Sequence, residues 1–172
     1  RGDGTDYDSR KKEDSWFHST RDFPSGTLIQ TDINYSQSAG DQFLLEMKGN
    51  MYGGGLPLDA KIQGYIYNDT IIQSGGYSTL HYFHYMIALN NNGQLCFWIP
   101  PMSYWQGFDV KVTAGYGGLD QGKNRVLSIT DSVDPGGIKR VQINLKHLLT
   151  KEELISDSPF WEKKNVGGYW AL

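Results

Sequence analysis

An all-β fold, an antiparallel sandwich of jelly-roll type, is predicted by three features of the sequence. Glycine and tyrosine are abundant, at 21 and 11 of 172 residues. Short stretches alternate apolar and polar side chains with a period of two. Asn-, Asp-, Gly- and Pro-rich breaks separate those stretches at the spacing of a sandwich or barrel. A chain of this length forms one domain and buries roughly 70% of the surface its unfolded form exposes, without needing metal or disulfides.

The elements follow in order. Residues 1–22 are highly charged and read as a polar leader or linker, mobile or packed on a partner. The domain proper is expected over 23–149. In QFLLEMK, Phe43, Leu45 and Met47 share one face and Leu44, Glu46 and Lys48 the other. GNMYGGGLPLD reads as a long Gly-rich loop. AKIQGYIY sets Ile62, Gly64 and Ile66 against Lys61, Gln63, Tyr65 and Tyr67, and Asn68-Asp69 before TIIQ makes a two-residue hairpin turn.

LHYFHYMIAL and QLCFWI, divided by Asn90-Asn91-Asn92-Gly93, are apolar on both faces and are expected as central, doubly buried strands. Pro100-Pro101 must end the second of them. FDVKVTA alternates Phe108, Val110, Val112 and Ala114 against Asp109, Lys111 and Thr113. NRVLSIT and IKRVQINL flank the loop DSVDPGG. HLLTKEELI is the one helix expected, with Thr150 as N-cap and Glu153 completing a capping box. Residues 150–172 form a tail expected to pack on the domain or on a neighbouring subunit.

Charge and motif content exclude several functions. The formal net charge is −3 with no long basic block, so nucleic acid is not an expected partner. No apolar run reaches the ~20 residues of a membrane helix, so membrane insertion is not expected. Gly117, Gly122 and Lys123 match phosphate-loop spacing, but Asn124 stands where a Ser or Thr hydroxyl would meet Mg²⁺, and a strand follows where a helix N-terminus belongs.

On a strand, His81 and His84 point to opposite faces, so no metal is assigned, and no cofactor is expected. Cys96 lies within an apolar strand as inert packing, and Asp131 and Asp134 read as turn formers. No nucleophile elbow or acid–base pair is recognisable, so the chain is not expected to be an enzyme.

Loop aromatics carry the remaining signal. Tyr52, Tyr77, Tyr104, Trp105 and Tyr116 lie in or beside Gly- or Pro-rich connections. Flat, half-exposed rings stack on sugar faces at little entropic cost, which suits a glycan binder; the alternative is that they cover sheet ends or sit between subunits.

Three segments, YIYNDTIIQSGGYS, GQLCFWIPPMSYWQGFDVKV and NRVLSITDSVDPGGIKRVQINL, resemble, in this order, a domain of tail fibres and related virion surface proteins of tailed bacteriophages. The resemblance covers about residues 23–149. It implies a β-rich, extracellular, virion-surface module, usually a homotrimer, that sits among other virion proteins and binds a bacterial surface polysaccharide or protein receptor. It brings no catalytic motif. It also implies that the shared segments hold the fold, which makes Trp98 and the Tyr104-Trp105 pair more structural and moves receptor contacts to loops at 49–58, 74–79 and 115–123. Two alternatives remain: a virion assembly or decoration module with purely structural contacts, and a carbohydrate-binding module of a bacterial secreted protein.

Overall fold

Alternating side chains of the kind just described have to close over an apolar interior, and the computed structural model shows how. It describes residues 7–20, 25–35, 41–51, 57–80, 83–101, 106–114, 122–137 and 139–147. Every regular element among them is a strand: β1 (Tyr7–Lys11), β2 (Trp16–Thr20), β3 (Thr27–Asn34), β4 (Asp41–Met51), β5 (Pro57–Tyr67), β6 (Thr70–Ser78), β7 (Tyr85–Asn91), β8 (Gln94–Ile99), β9 (Gln106–Ala114), β10 (Val126–Asp131) and β11 (Val141–His147). The helix expected over HLLTKEELI falls, apart from His147 in β11, outside the described residues.

All-β is therefore correct, and the strands form one sheet, barrel-like and nearly closed, that is not clearly a jelly-roll sandwich. The strands follow one continuous order, β1-β2-β9-β4-β5-β6-β11-β7-β8-β3-β10, curled into a nearly closed barrel. Neighbours are antiparallel except β6 and β11, which run parallel over Gly76–Ser78 and Leu145–His147. β11 makes the turn between the two halves: Val141–Asn144 pair with β7 and the next three residues with β6. Inward–outward alternation is the same in a sandwich and a barrel, so the pattern alone does not separate them.

The second seam is closed by the lead-in to β10. Arg125 N donates to the Val112 carbonyl at 2.7 Å, and its own carbonyl accepts from Asp32 N at 3.1 Å. Asn124 Oδ1 accepts from Val112 N and Val126 N, so this residue of the phosphate-loop-like stretch is a backbone staple. Arg125 also forms an ion pair with Asp32 at 2.5 Å.

Residues 7–20, expected as a leader, form a hairpin that extends the same sheet from β9. Its inward side carries Trp16 against the core and the buried His18. Ser9 Oγ accepts from Trp16 Nε1 at 2.7 Å and donates to the Ile129 carbonyl at 2.9 Å, linking the first strand in the sheet order to the last.

The core lies between the two halves, where Phe43 of β4 meets Phe97 of β8 edge to face at 5.3 Å. The burial of β9 alternates as expected, with Phe108, Val110, Val112 and Ala114 inward. The strand expected over LHYFHYMIAL starts only at Tyr85. Phe83 N bonds back to the Leu80 carbonyl, and both of these apolar side chains are fully buried instead of continuing a ladder. β8 is buried on both sides and stops at Ile99, before Pro100.

Outside the barrel, β3, β8 and β7 carry a second cluster of Leu28, Leu89, Cys96 and Trp98, with Ile87 packed against it. Residues 132–137 cross over it as a strap on the way from β10 to β11. Trp98 Nε1 donates to the Ser132 carbonyl at 3.0 Å, and Ser132 N donates to the Gly26 carbonyl. Gly26 has φ of 104°, and a Cβ there would lie 2.8 Å from the Trp98 ring, so only glycine fits. Asp134 and Arg140 pin the strap with hydrogen bonds of 2.5 and 2.8 Å.

Candidate functional site

The outer face of β4, β5 and β6 has no such cover among the described residues. Register places its side chains in rows. Gln42, Tyr65 and Gln73 form one row, Leu44, Gln63 and Gly75 the next, and Glu46, Lys61 and Tyr77 the third. The row of Tyr77 continues onto Lys146 of β11. Between and above these residues lie two adjoining depressions of about 500 and 330 Å³, both lined by Leu44, Gln63 and Gly75.

Glycine makes the groove. A Cβ at Gly75 would meet nothing within 4 Å, so its missing side chain is the open space. Its neighbour Gly76 faces inward, where a Cβ would lie 2.5 Å from the Lys61 carbonyl, so that position must stay bare for β5 and β6 to approach. The Gly-Gly pair thus serves two separate ends. The 74–79 segment, expected as a loop, is strand up to Ser78 because of it.

Aromatic and amide groups border the groove. Tyr65 and Tyr67, two apart on β5, stack with ring centres 6.2 Å apart and planes at 27°. Tyr67 and Ile72 are about half exposed, at 47% and 51%. The Asn68-Asp69 turn beyond them has φ of 52° and 64°, the hairpin geometry expected from sequence. From Lys61 to Tyr67 the β5 strand covers about 20 Å, the length of several sugar rings in a chain.

Of the five residues singled out by sequence, Tyr77 lies in this groove, half-buried between Lys61 and Lys146. Tyr52, Tyr104, Trp105 and Tyr116 lie outside the described residues, as do 52–56 and 115–121 of the expected loops; 49–51 and 57–58, expected as loop, are the end of β4 and the start of β5. Sequence reasoning did not select Tyr65, Tyr67, Gln42, Gln63 and Gln73, although the alternation in AKIQGYIY already set Gln63, Tyr65 and Tyr67 on the outward face. Those rings and amides stand on strands, not in the Gly- and Pro-rich connections where the loop aromatics lie.

Burial and pairing shift several titratable groups elsewhere. Burial pushes the Cys96 thiol up to about 11, which keeps it protonated. Burial lowers His18 to about 4, against a small opposing pull from Asp8, so the imidazole is neutral. Burial, together with the nearby Asp69 charge, raises Tyr35 to about 12, and its hydroxyl donates to the Lys139 carbonyl. The Arg140 hydrogen bond holds Asp134 below the usual carboxylate range. His84 and His147 meet edge to face at 5.8 Å, with His147 Nε2 3.1 Å from the Phe83 carbonyl. Among the described residues no three His, Cys, Asp or Glu side chains cluster as a metal site would require.

The arrangement suits binding: stacked rings, three amides that donate and accept, and a floor opened at Gly75 beside Leu44. Comparison with protein-family models, curated proteins and solved structures finds no match to this chain.

Proposed function

We propose that the chain is a non-enzymatic receptor-binding domain of a phage tail fibre or related virion surface protein, and that the β4-β5-β6 groove holds a bacterial surface polysaccharide. The observation that carries the reading is the uncovered Tyr65–Tyr67 stack beside a groove floored by Gly75 and edged by Gln42, Gln63 and Gln73. Apolar sugar faces stack on such rings, and equatorial hydroxyls pair with amides that both donate and accept. The virion setting and the homotrimer rest on the sequence resemblance. Exposed Leu127 on β10 and Val133 on the strap, at 48% and 68%, supply apolar surface for contact with sister chains or other virion proteins.

Two measurements test the reading. Purified protein is applied to arrayed bacterial surface polysaccharides and to host cells, with Tyr65→Ala and Tyr77→Ala alongside. Loss of binding in both variants at unchanged melting temperature is expected, and retention in both removes the groove from the account. Sedimentation at micromolar concentration tests the assembly, which a strict monomer contradicts.

A further inference from the structure

We infer that the groove selects an anionic sugar, one bearing a carboxylate or phosphate, with the charged group held beside Tyr77 between Lys61 and Lys146. This rests on the polysaccharide-binding reading above.

Charge is unevenly placed along a single row of the sheet. Register places Lys111, Glu46, Lys61, Tyr77 and Lys146 side by side on β9, β4, β5, β6 and β11, all pointing outward. Glu46 is the row's one acid, and it lies between two lysines. It reaches Lys61 at 3.8 Å, a loose contact between half-exposed groups. Lys146 is exposed and has no ion pair among the described residues. Three lysines against one glutamate leave this row at +2, in a chain whose formal net charge is −3. The surplus is local, and it flanks Tyr77 with cations on both sides.

A sugar ring seated on Tyr77 brings its substituents within reach of both ammonium groups. A carboxylate or phosphate there gains two charge-assisted contacts, which are shorter and stronger than neutral hydrogen bonds. A neutral hydroxyl in the same place leaves Lys146 with water alone. The uncharged end of the groove, with Gln42, Tyr65 and Gln73, then serves the neutral residues of the same polymer.

The test uses the full chain and three immobilised polymers: polygalacturonate, the galactan made from it by carboxyl reduction, and a poly(glycerol phosphate) teichoic acid. Binding to at least one anionic polymer is expected to exceed binding to galactan by about tenfold or more, and Lys146→Gln is expected to remove about tenfold of that affinity. Its melting temperature should not move. Whichever anionic polymer binds more tightly identifies carboxylate or phosphate as the recognised group. Equal binding to galactan and polygalacturonate, or an unchanged affinity in Lys146→Gln, overturns the inference while polysaccharide binding stands. Binding to none of the three, with neutral bacterial polysaccharides still bound on the array, does the same. Binding to no polysaccharide at all overturns both the inference and the reading beneath it.

Discussion

The two outer faces of this barrel start from similar material and reach opposite ends. On β3-β8-β7, Trp98, Cys96, Leu28 and Leu89 lie beneath the 132–137 strap and are at most 6% exposed. On β4-β5-β6, Tyr65, Tyr67 and Tyr77 remain half-buried or exposed above a bare glycine floor. Aromatic density does not separate the two. What does is whether a connection crosses the face and whether the rings carry a polar edge. β10 and β11 lie on opposite flanks of β3-β8-β7, so the chain between them must cross it, whereas β4, β5 and β6 are successive neighbours and their order requires no crossing.

The largest effect should come from emptying the covered face. Trp98→Ala removes the ring that Gly26 and the strap enclose and should cost about 3–5 kcal/mol in urea unfolding. A cost under 1 kcal/mol would show that the strap merely rests on this face. Next comes acid. His18 is neutral in the folded chain down to about pH 4 but titrates near its ordinary 6.5 when unfolded. The unfolded state then binds the extra proton, so stability is intact above pH 6.5 and falls between 6.5 and 4, by up to about 3 kcal/mol. Hydrogen exchange should show β2 and β9 losing protection before β7 and β8. A stability unchanged over that window, or the reverse order, would contradict the placement of His18.

A smaller effect is expected from unpinning the strap. Arg140→Ala removes a half-exposed pair worth about 1 kcal/mol, so Cys96 should react with a thiol reagent about fivefold faster. An unchanged rate would mean the strap opens without breaking that pair. The smallest effect on stability is expected at the open face. Tyr65→Ala should change the unfolding free energy by less than about 1 kcal/mol, because the ring covers no core. A loss comparable to that of Trp98→Ala would make Tyr65 a packing residue and erase the contrast between the faces.

Much of the covered face was legible in the sequence. QLCFWI is apolar at both parities, which requires two dry sides, and Pro100-Pro101 stops it where the ladder ends. β4, β5 and β9 were legible for a different reason, the alternation of apolar and polar side chains that marks one dry face. β3 was not picked out, because polar Thr31 takes an inward position between Ile29 and Ile33. Thr31 is nonetheless fully buried, donating to the Leu95 carbonyl at 2.6 Å. The hairpin of β1 and β2 was missed because its charges sit on the outer side, while the seam it helps close comes from residues over 100 positions later. Barrel closure was illegible in principle, since alternation does not encode which edges meet. At the groove, Tyr77 was identified but its setting was not: Gly75-Gly76 reads as a turn until strand pairing shows one glycine filled by β5 and the other open.

Gly75 offers the most direct test of the claim that the open face binds and the covered face does not. Gly75→Val fills the groove floor at a position where a Cβ meets nothing within 4 Å, and valine suits a strand, so unfolding should shift by no more than about 0.5 kcal/mol. Binding to the polysaccharide array, measured for this variant beside the unaltered chain, should fall at least tenfold. An unchanged array signal from a folded Gly75→Val protein would contradict the account and place the receptor contacts elsewhere on the molecule.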